Sequence, residues 1–551
     1  MADISQGRAA VCAAREVLDE SARRLASQSM KDGRLDLNLM DEHQIACYDL
    51  AYLVSGLESA RCVLTDYAEK GQAESLLALG FAADVVSETR QRLDGRLDLF
   101  GVEPVFYQER LASGEVEAFL TQGRSGVFAD EVGAAVLGGT VPGGPVHLPE
   151  DLAMMAHTFR QFGADRICPV VEHVHRENTD IPEDIIQGVA ELGCFGLTIP
   201  EAYGGYAGDE IDPTIAMVVA TEQLSWASLG VGGALITRPE ILSKAIVSAG
   251  TEEQKNRWLP KIASGENMVG VAVTEPDYGS DVASLKVRAG RTADGTGYLV
   301  QGVKTWCTFA GRADLLMLLA RTGAPEEKHR GLSLFVIPKT RHAGHAFVEE
   351  RVHDFGTGKM EGRAIDTLGY RGMHSYEISF DNWFVPVGDM IGTEEGKGFY
   401  MQMDAFANGR AQTAARAVGL MQAAFEKALS YSRERVVFGK PIYEYPLTRW
   451  KLARMAWLIQ ACRQHTYEVA GLLSQGGKSG QLEASMVKMY ACRAAEWVSR
   501  EALQIHGGMG YAEEYDVSRY FVDARVLSIF EGAEETLALR VIIRRLLEQA
   551  V

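Results

Sequence analysis

Two apolar rhythms divide the chain. Leu50, Leu53, Val54 and Leu57 recur at helical spacing, and residues 73–93 form a second run with an apolar face. The same spacing returns near the other end, where Leu452, Met455, Ala456 and Ile459 share one helical face. The middle is different. Residues 271–273 and 298–303 are short apolar runs of strand character, the first breaking into the Pro/Gly-punctuated loop 274–281. The pattern predicts an α+β chain whose helical ends flank a β-rich centre.

A glycine- and proline-rich stretch, 138–145, reads as a linker that sets the first 147 residues apart as a helical extension. Within that extension Tyr48, Asp49, Leu50, Ala51, Tyr52 and Leu53 resemble Trp450, Lys451, Leu452, Ala453, Arg454 and Met455, which suggests a degenerate copy of part of the C-terminal helices. Two unrelated amphipathic helices would give the same short match.

Charge and cysteine usage narrow the partners. A formal net charge of -19 over 551 residues argues against nucleic acid. No apolar run approaches a membrane span and the N-terminus has no secretory pattern, so no membrane association and a cytoplasmic location are expected. Eight cysteines without CxxC spacing suit a reducing compartment. His173 and His175 have metal-like spacing but lie in a charged helix without a third ligand, and no metal is expected.

Chemistry concentrates in a few segments. Glu531 stands between Phe530 and Gly532 on a turn expected between two helices, a setting that desolvates a carboxylate and makes it a stronger base. Alone, an acid at a helix start serves as a cap or offsets the dipole. The loop with Thr274, Glu275, Pro276, Tyr278, Gly279 and Ser280 offers hydroxyls and backbone amides to a polar heterocycle. Alternation along the next strand predicts Trp306 and Thr308 on one face, an indole to cover a planar ring and a hydroxyl to reach its edge. Residues 432–440, with Arg435 and Phe438, close a long helix with a glycine-led turn, and 504–511, with Gln504 and Gly508, break another.

In this order the segments resemble the acyl-CoA dehydrogenase family over residues 148–551. The resemblance implies a helical domain at 148–270, a β-domain at 271–388 and a C-terminal four-helix bundle at 389–551, behind the extension and linker at 1–147. It implies FAD as cofactor, with Thr274, Ser280, Trp306 and Thr308 at the isoalloxazine and ribityl region. Arg435, Phe438, Gln504 and Gly508 would take its pyrophosphate and adenosine from a neighbouring subunit. Glu531 would remove the α-proton of an acyl thioester, its backbone N–H and a ribityl hydroxyl stabilising the charge on the carbonyl oxygen. Phe406, Gly409 and Arg410 would line the substrate end.

The chain departs from the family in places. Ala533 and Val437 stand where threonines are common, each losing about 1 kcal/mol of hydrogen bonding. Gly409 occupies the position from which some members present their catalytic Glu. That leaves Glu531 without a competitor and leaves room for a short, branched acyl group. Ala227 and Val231 are expected on one helix under the pocket, with Arg238 further along it at the surface. An electron-transferring flavoprotein is the expected acceptor, since no nucleotide-binding G-x-G-x-x-G follows a strand, though an acyl-CoA oxidase uses similar residues. A scaffold that keeps only the fold is opposed by the presence of Glu531, Thr308, Trp306 and Arg435. If the extension covers the face by which family members pair dimers, a homodimer results.

Overall fold

A computed structural model describes residues 3–137, 142–208, 210–476 and 479–551. The chain forms two compact units, Met1–Pro149 with Thr413–Val551, and Glu150–Gln412.

The first unit is helical. Ile4–Gln28 opens with a capping box in which Asp3 and Gln6 satisfy each other's backbone N–H. It packs with Gln44–Cys62 and Gln72–Leu93, and these lie against the long C-terminal helices Pro446–Ser474 and Gln481–His506. Glycine permits the close approach: a Cβ at Gly80 would meet the Trp457 ring at 2.5 Å. Tyr52 stacks on Tyr490 with centroids 5.4 Å apart, Asp84 pairs with Arg454 at 2.6 Å, and the Ser59 hydroxyl meets His465 Nδ1 at 2.8 Å in a buried setting. The extension therefore shares one core with the residues after 412. Of the expected linker, 138–141 lie outside the described residues. The rest is tied down, Gln422 donating to the Pro142 carbonyl at 3.0 Å and Gln460 to those of Gly143 and Gly144 at 2.8 and 3.0 Å.

The second unit sets helices against a β-sheet. Thr237–Ala249 and Glu252–Ala263 are joined by a Thr251/Gln254 capping box. Eight strands follow, with Leu315–Arg321 buried along its whole length. Its side chains alternate between two cores. Leu315, Met317 and Leu319 meet Leu332, Leu334 and Val336 with Ile241, Leu242, Leu259 and Ile262 of the helices, whereas Leu316, Leu318 and Ala320 meet Phe335, Ile337, Tyr376 and Trp383. The strand Gly297–Thr308 is paired on one side with Arg288–Arg291 and on the other with Ser375–Pro386. Among the described residues no helix is long and apolar enough to cross a membrane.

Candidate active site

In the sheet-bearing unit, the strand Val269–Ala272 runs into the loop that holds Thr274 and Ser280. Glu275 and Tyr278 close this loop on each other by reciprocal backbone bonds of 3.2 and 3.0 Å. The buried Glu275 carboxylate then anchors it, accepting from the backbone of Lys286 and Val287 at 2.7 and 2.8 Å and from Lys304 Nζ at 2.8 Å. Lys304 is wholly buried, and desolvation pulls its ammonium down to about 8 against the pull of Glu275. Thr305 donates its N–H to the Thr274 carbonyl at 2.8 Å, so the loop and the strand bearing Trp306 and Thr308 are neighbours.

Regular alternation, on which the shared face of Trp306 and Thr308 was expected, fails at this point. Pairing shifts between Tyr376↔Cys307 and Ile378↔Lys304, and Trp306 takes φ 56. The bulge leaves the indole 53% exposed, while Thr308 is buried with its hydroxyl 3.0 Å from that of Ser375. Ser375 was not among the expected residues, and no local signal in the sequence marks it.

The same unit holds Phe406, Gly409 and Arg410 on the first turns of Gly398–Glu434. Asn408 and Gln412 fasten this stretch to Thr237–Ala249, donating to the two oxygens of the buried Glu240 at 2.9 and 3.1 Å. Gly409 is buried, Phe406 and Arg410 half-buried. Ala227, Val231 and Arg238 do not share a helix. Ala227 ends Pro213–Ala227, extended Ser228 (φ -163, ψ 133) breaks the helix, Val231 sits in the π-helical turn Leu229–Gly233, and Arg238 lies in the first turn of the next helix. Nor is Arg238 on the surface. It is 5% exposed, and its guanidinium donates to the Tyr370 hydroxyl at 2.8 Å and, more weakly, to the Ala234 carbonyl at 3.4 Å. Tyr370 belongs to the loop whose backbone packs on Gly230 of that turn. Both partners are neutral, and among the described residues no carboxylate pairs with Arg238.

In the other unit, Glu531 lies on the short turn between Asp516–Leu527 and Glu534–Thr536. It takes φ 54, a left-handed conformation uncommon for a side chain of this size, and Gly532 follows at φ 100. Lys488 Nζ holds the Gly532 carbonyl at 2.6 Å, and the Arg416 guanidinium lies 4.7 Å from the centroid of the Phe530 ring. No backbone carbonyl among the described residues accepts the Glu531 N–H. Arg435 leads into a tight hairpin, Val436–Val437 with Lys440–Pro441, whose loop residues Phe438 and Gly439 both have positive φ. The hairpin carries Phe438 95% exposed. Stacking of Tyr431 on His506 at 4.3 Å brings the end of this long helix beside Gln504 and Gly508. Each unit thus presents an exposed ring, Trp306 in the sheet-bearing unit and Phe438 in the helical one.

Models of the acyl-CoA dehydrogenase N-terminal, middle and C-terminal domains match residues 149–266, 270–383 and 396–547, in that order. The chain belongs to the acyl-CoA dehydrogenase family. It is similar to (2S)-methylsuccinyl-CoA dehydrogenase of Cereibacter sphaeroides, 38% identical over 549 residues that cover 97% of this chain and 96% of that protein. Among solved structures, butyryl-CoA dehydrogenase from Megasphaera elsdenii matches with a TM-score of 0.65 at 29% identity, over 72% of this chain and 97% of its own. A glutaryl-CoA dehydrogenase from Mycobacterium smegmatis in complex with FADH2 matches with a TM-score of 0.61 at 26% identity, over 71% of this chain and 93% of its own. As an acyl-CoA dehydrogenase the chain is a FAD-dependent oxidoreductase of acyl-CoA thioesters.

Proposed function

We propose that this acyl-CoA dehydrogenase oxidises (2S)-methylsuccinyl-CoA to mesaconyl-CoA, a step of the ethylmalonyl-CoA pathway, and passes its electrons to an electron-transferring flavoprotein. The likeness to the Cereibacter sphaeroides enzyme carries this reading, because it covers 97% of this chain where the butyryl-CoA dehydrogenase match covers 72%.

The residues supply a consistent chemistry. Glu531 removes the proton from the methyl-bearing α-carbon, and its free backbone N–H donates to the thioester oxygen as charge gathers there. FAD, when bound, accepts the hydride from the β-carbon. Thr274, Ser280, Trp306 and Thr308 hold the flavin's ring end, and Arg435, Phe438, Gln504 and Gly508 from a neighbouring subunit hold its dinucleotide end. Phe406, Gly409 and Arg410 shape the acyl pocket, the absent side chain at Gly409 making room for the methyl branch. The β-carbon carries a carboxylate, which needs a buried cation, and Arg238 is a buried cation with only neutral partners.

The test is anaerobic bleaching of the flavin by a set of acyl-CoA esters. Methylsuccinyl-CoA is expected to reduce the enzyme with a higher specificity constant than butyryl-CoA or isobutyryl-CoA, and equal or better reduction by isobutyryl-CoA overturns the substrate. Glu531→Gln is expected to keep FAD and lose flavin reduction by about four orders of magnitude, the upper end for removal of a general base. Appreciable reduction by that variant overturns the base. Rapid turnover with oxygen alone would favour an oxidase.

A further inference from the structure

The turn that bears Glu531 is held from a direction the family models do not cover. Three residues beyond the base, the Glu534 carboxylate, 13% exposed, accepts from Arg493 Nη1 at 3.0 Å and from the hydroxyl of Tyr48. Arg493 donates to the Tyr48 oxygen as well, at 2.6 Å, so the three side chains close a ring of hydrogen bonds. Tyr48 belongs to the helix Gln44–Cys62, in the extension that precedes residue 149, where the family match begins. Asp41 adds a second tie by pairing with Arg540 at 2.7 Å.

We infer that Tyr48, acting with Arg493 through Glu534, is a positioning residue for the catalytic turn. This rests on the reading of Glu531 as the base. The left-handed backbone of Glu531 and the positive φ of Gly532 persist only where the surroundings over-determine them. On the near side the turn is held by Lys488 at the Gly532 carbonyl. The far side closes through the Glu534 N–H to the Ser528 carbonyl at 3.1 Å, so any shift of Glu534 is passed straight to the loop between them. The Glu534 side chain is thus the handle, and the extension grips it. Burial first, then the Glu534 carboxylate, push the Tyr48 phenol well up, which keeps it a donor at every working pH.

Tyr48→Phe removes the donor and keeps the ring. In the full-length holoenzyme the rate of anaerobic flavin reduction by methylsuccinyl-CoA is expected to fall about tenfold, below the hundredfold that an ångström of misplacement brings. The deuterium isotope effect on the α-proton should rise, with FAD content and dissociation constant for the thioester unchanged. Tyr107→Phe, in the same extension but with its hydroxyl on Asp94, is the control and should reduce at the parent rate. If Tyr48→Phe yields no folded holoenzyme, Glu534→Gln is measured instead, with the same loss expected. A parent reduction rate and isotope effect in Tyr48→Phe, or an equal loss in Tyr107→Phe, overturns the inference. Glu531→Gln separates the two readings: if it still reduces flavin the base assignment fails, and if it is inert while Tyr48→Phe is unaffected, only the positioning role fails.

Discussion

Replacing Arg238 with methionine should push stability and activity in opposite directions. The guanidinium is 5% exposed and bonded to a phenol and a carbonyl, so the ligand-free protein bears a buried charge that no carboxylate among the described residues pairs with. Methionine keeps the unbranched stem and removes the charge. Replacement of buried ionic groups by well-packed apolar ones stabilises by about 1–4 kcal/mol. Loss of the Tyr370 contact takes back about 1 kcal/mol, and the net expectation is a gain of roughly 0–3 kcal/mol in the ligand-free enzyme. For the substrate the sign reverses. A carboxylate that enters this position meets no cation in the variant, and breaking a buried pair by removing one partner costs about 3–5 kcal/mol. At 1.36 kcal/mol per decade, kcat/KM for methylsuccinyl-CoA should fall by about two to four orders of magnitude, while kcat/KM for butyryl-CoA holds or rises. Thermal unfolding without ligand and flavin bleaching with the two thioesters read the two arms. A parallel loss with both substrates, or a lower unfolding midpoint without a change in selectivity, refutes Arg238 as the partner of the carboxylate.

Arg435→Ala should purify with less FAD, because a neutral residue cannot replace a charge-assisted contact to the pyrophosphate, and full occupancy at low protein concentration would count against that role. Light scattering should return a homodimer for the intact chain. A truncation starting near Leu148 should aggregate or form larger oligomers, because it uncovers Trp457 and Tyr490, which the extension now buries; a tetramer of the full chain would defeat this. Burial pulls His465 down to about 4 from 6.5, against the opposing pull of Glu468 and Glu58. The unfolded chain therefore binds a proton between pH 6.5 and 4 that the folded chain refuses, and stability present above 6.5 falls by roughly 3 kcal/mol as the pH drops to 4. His465→Asn should flatten that part of the pH profile in denaturant titrations, and an unchanged slope would show that other groups set it.

The helical ends, the β-centre and the turn at Glu531 are legible in the sequence because each is written in neighbouring residues. Period 3.6 at Leu452, Met455, Ala456 and Ile459 and the punctuation around Gly532 need no distant partner to be read. Leu315–Arg321 is harder: apolar throughout, it shows no alternation, yet its odd and even residues face different cores. Tertiary structure alone decides which exceptions to the periodicity matter. An extended Ser228 parts Ala227, Val231 and Arg238, and a bulge turns Trp306 outward, since a single backbone conformation can break a period without changing composition. Arg238 carries no mark of its burial, because an arginine stem satisfies a helix equally well on either face, and only the loop with Tyr370 settles which. Tyr48 and Glu534 lie 486 positions apart. Nothing local to either residue specifies the other; their contact exists because the extension packs against the bundle, where a buried carboxylate must find its donors from whatever part of the chain the fold brings near.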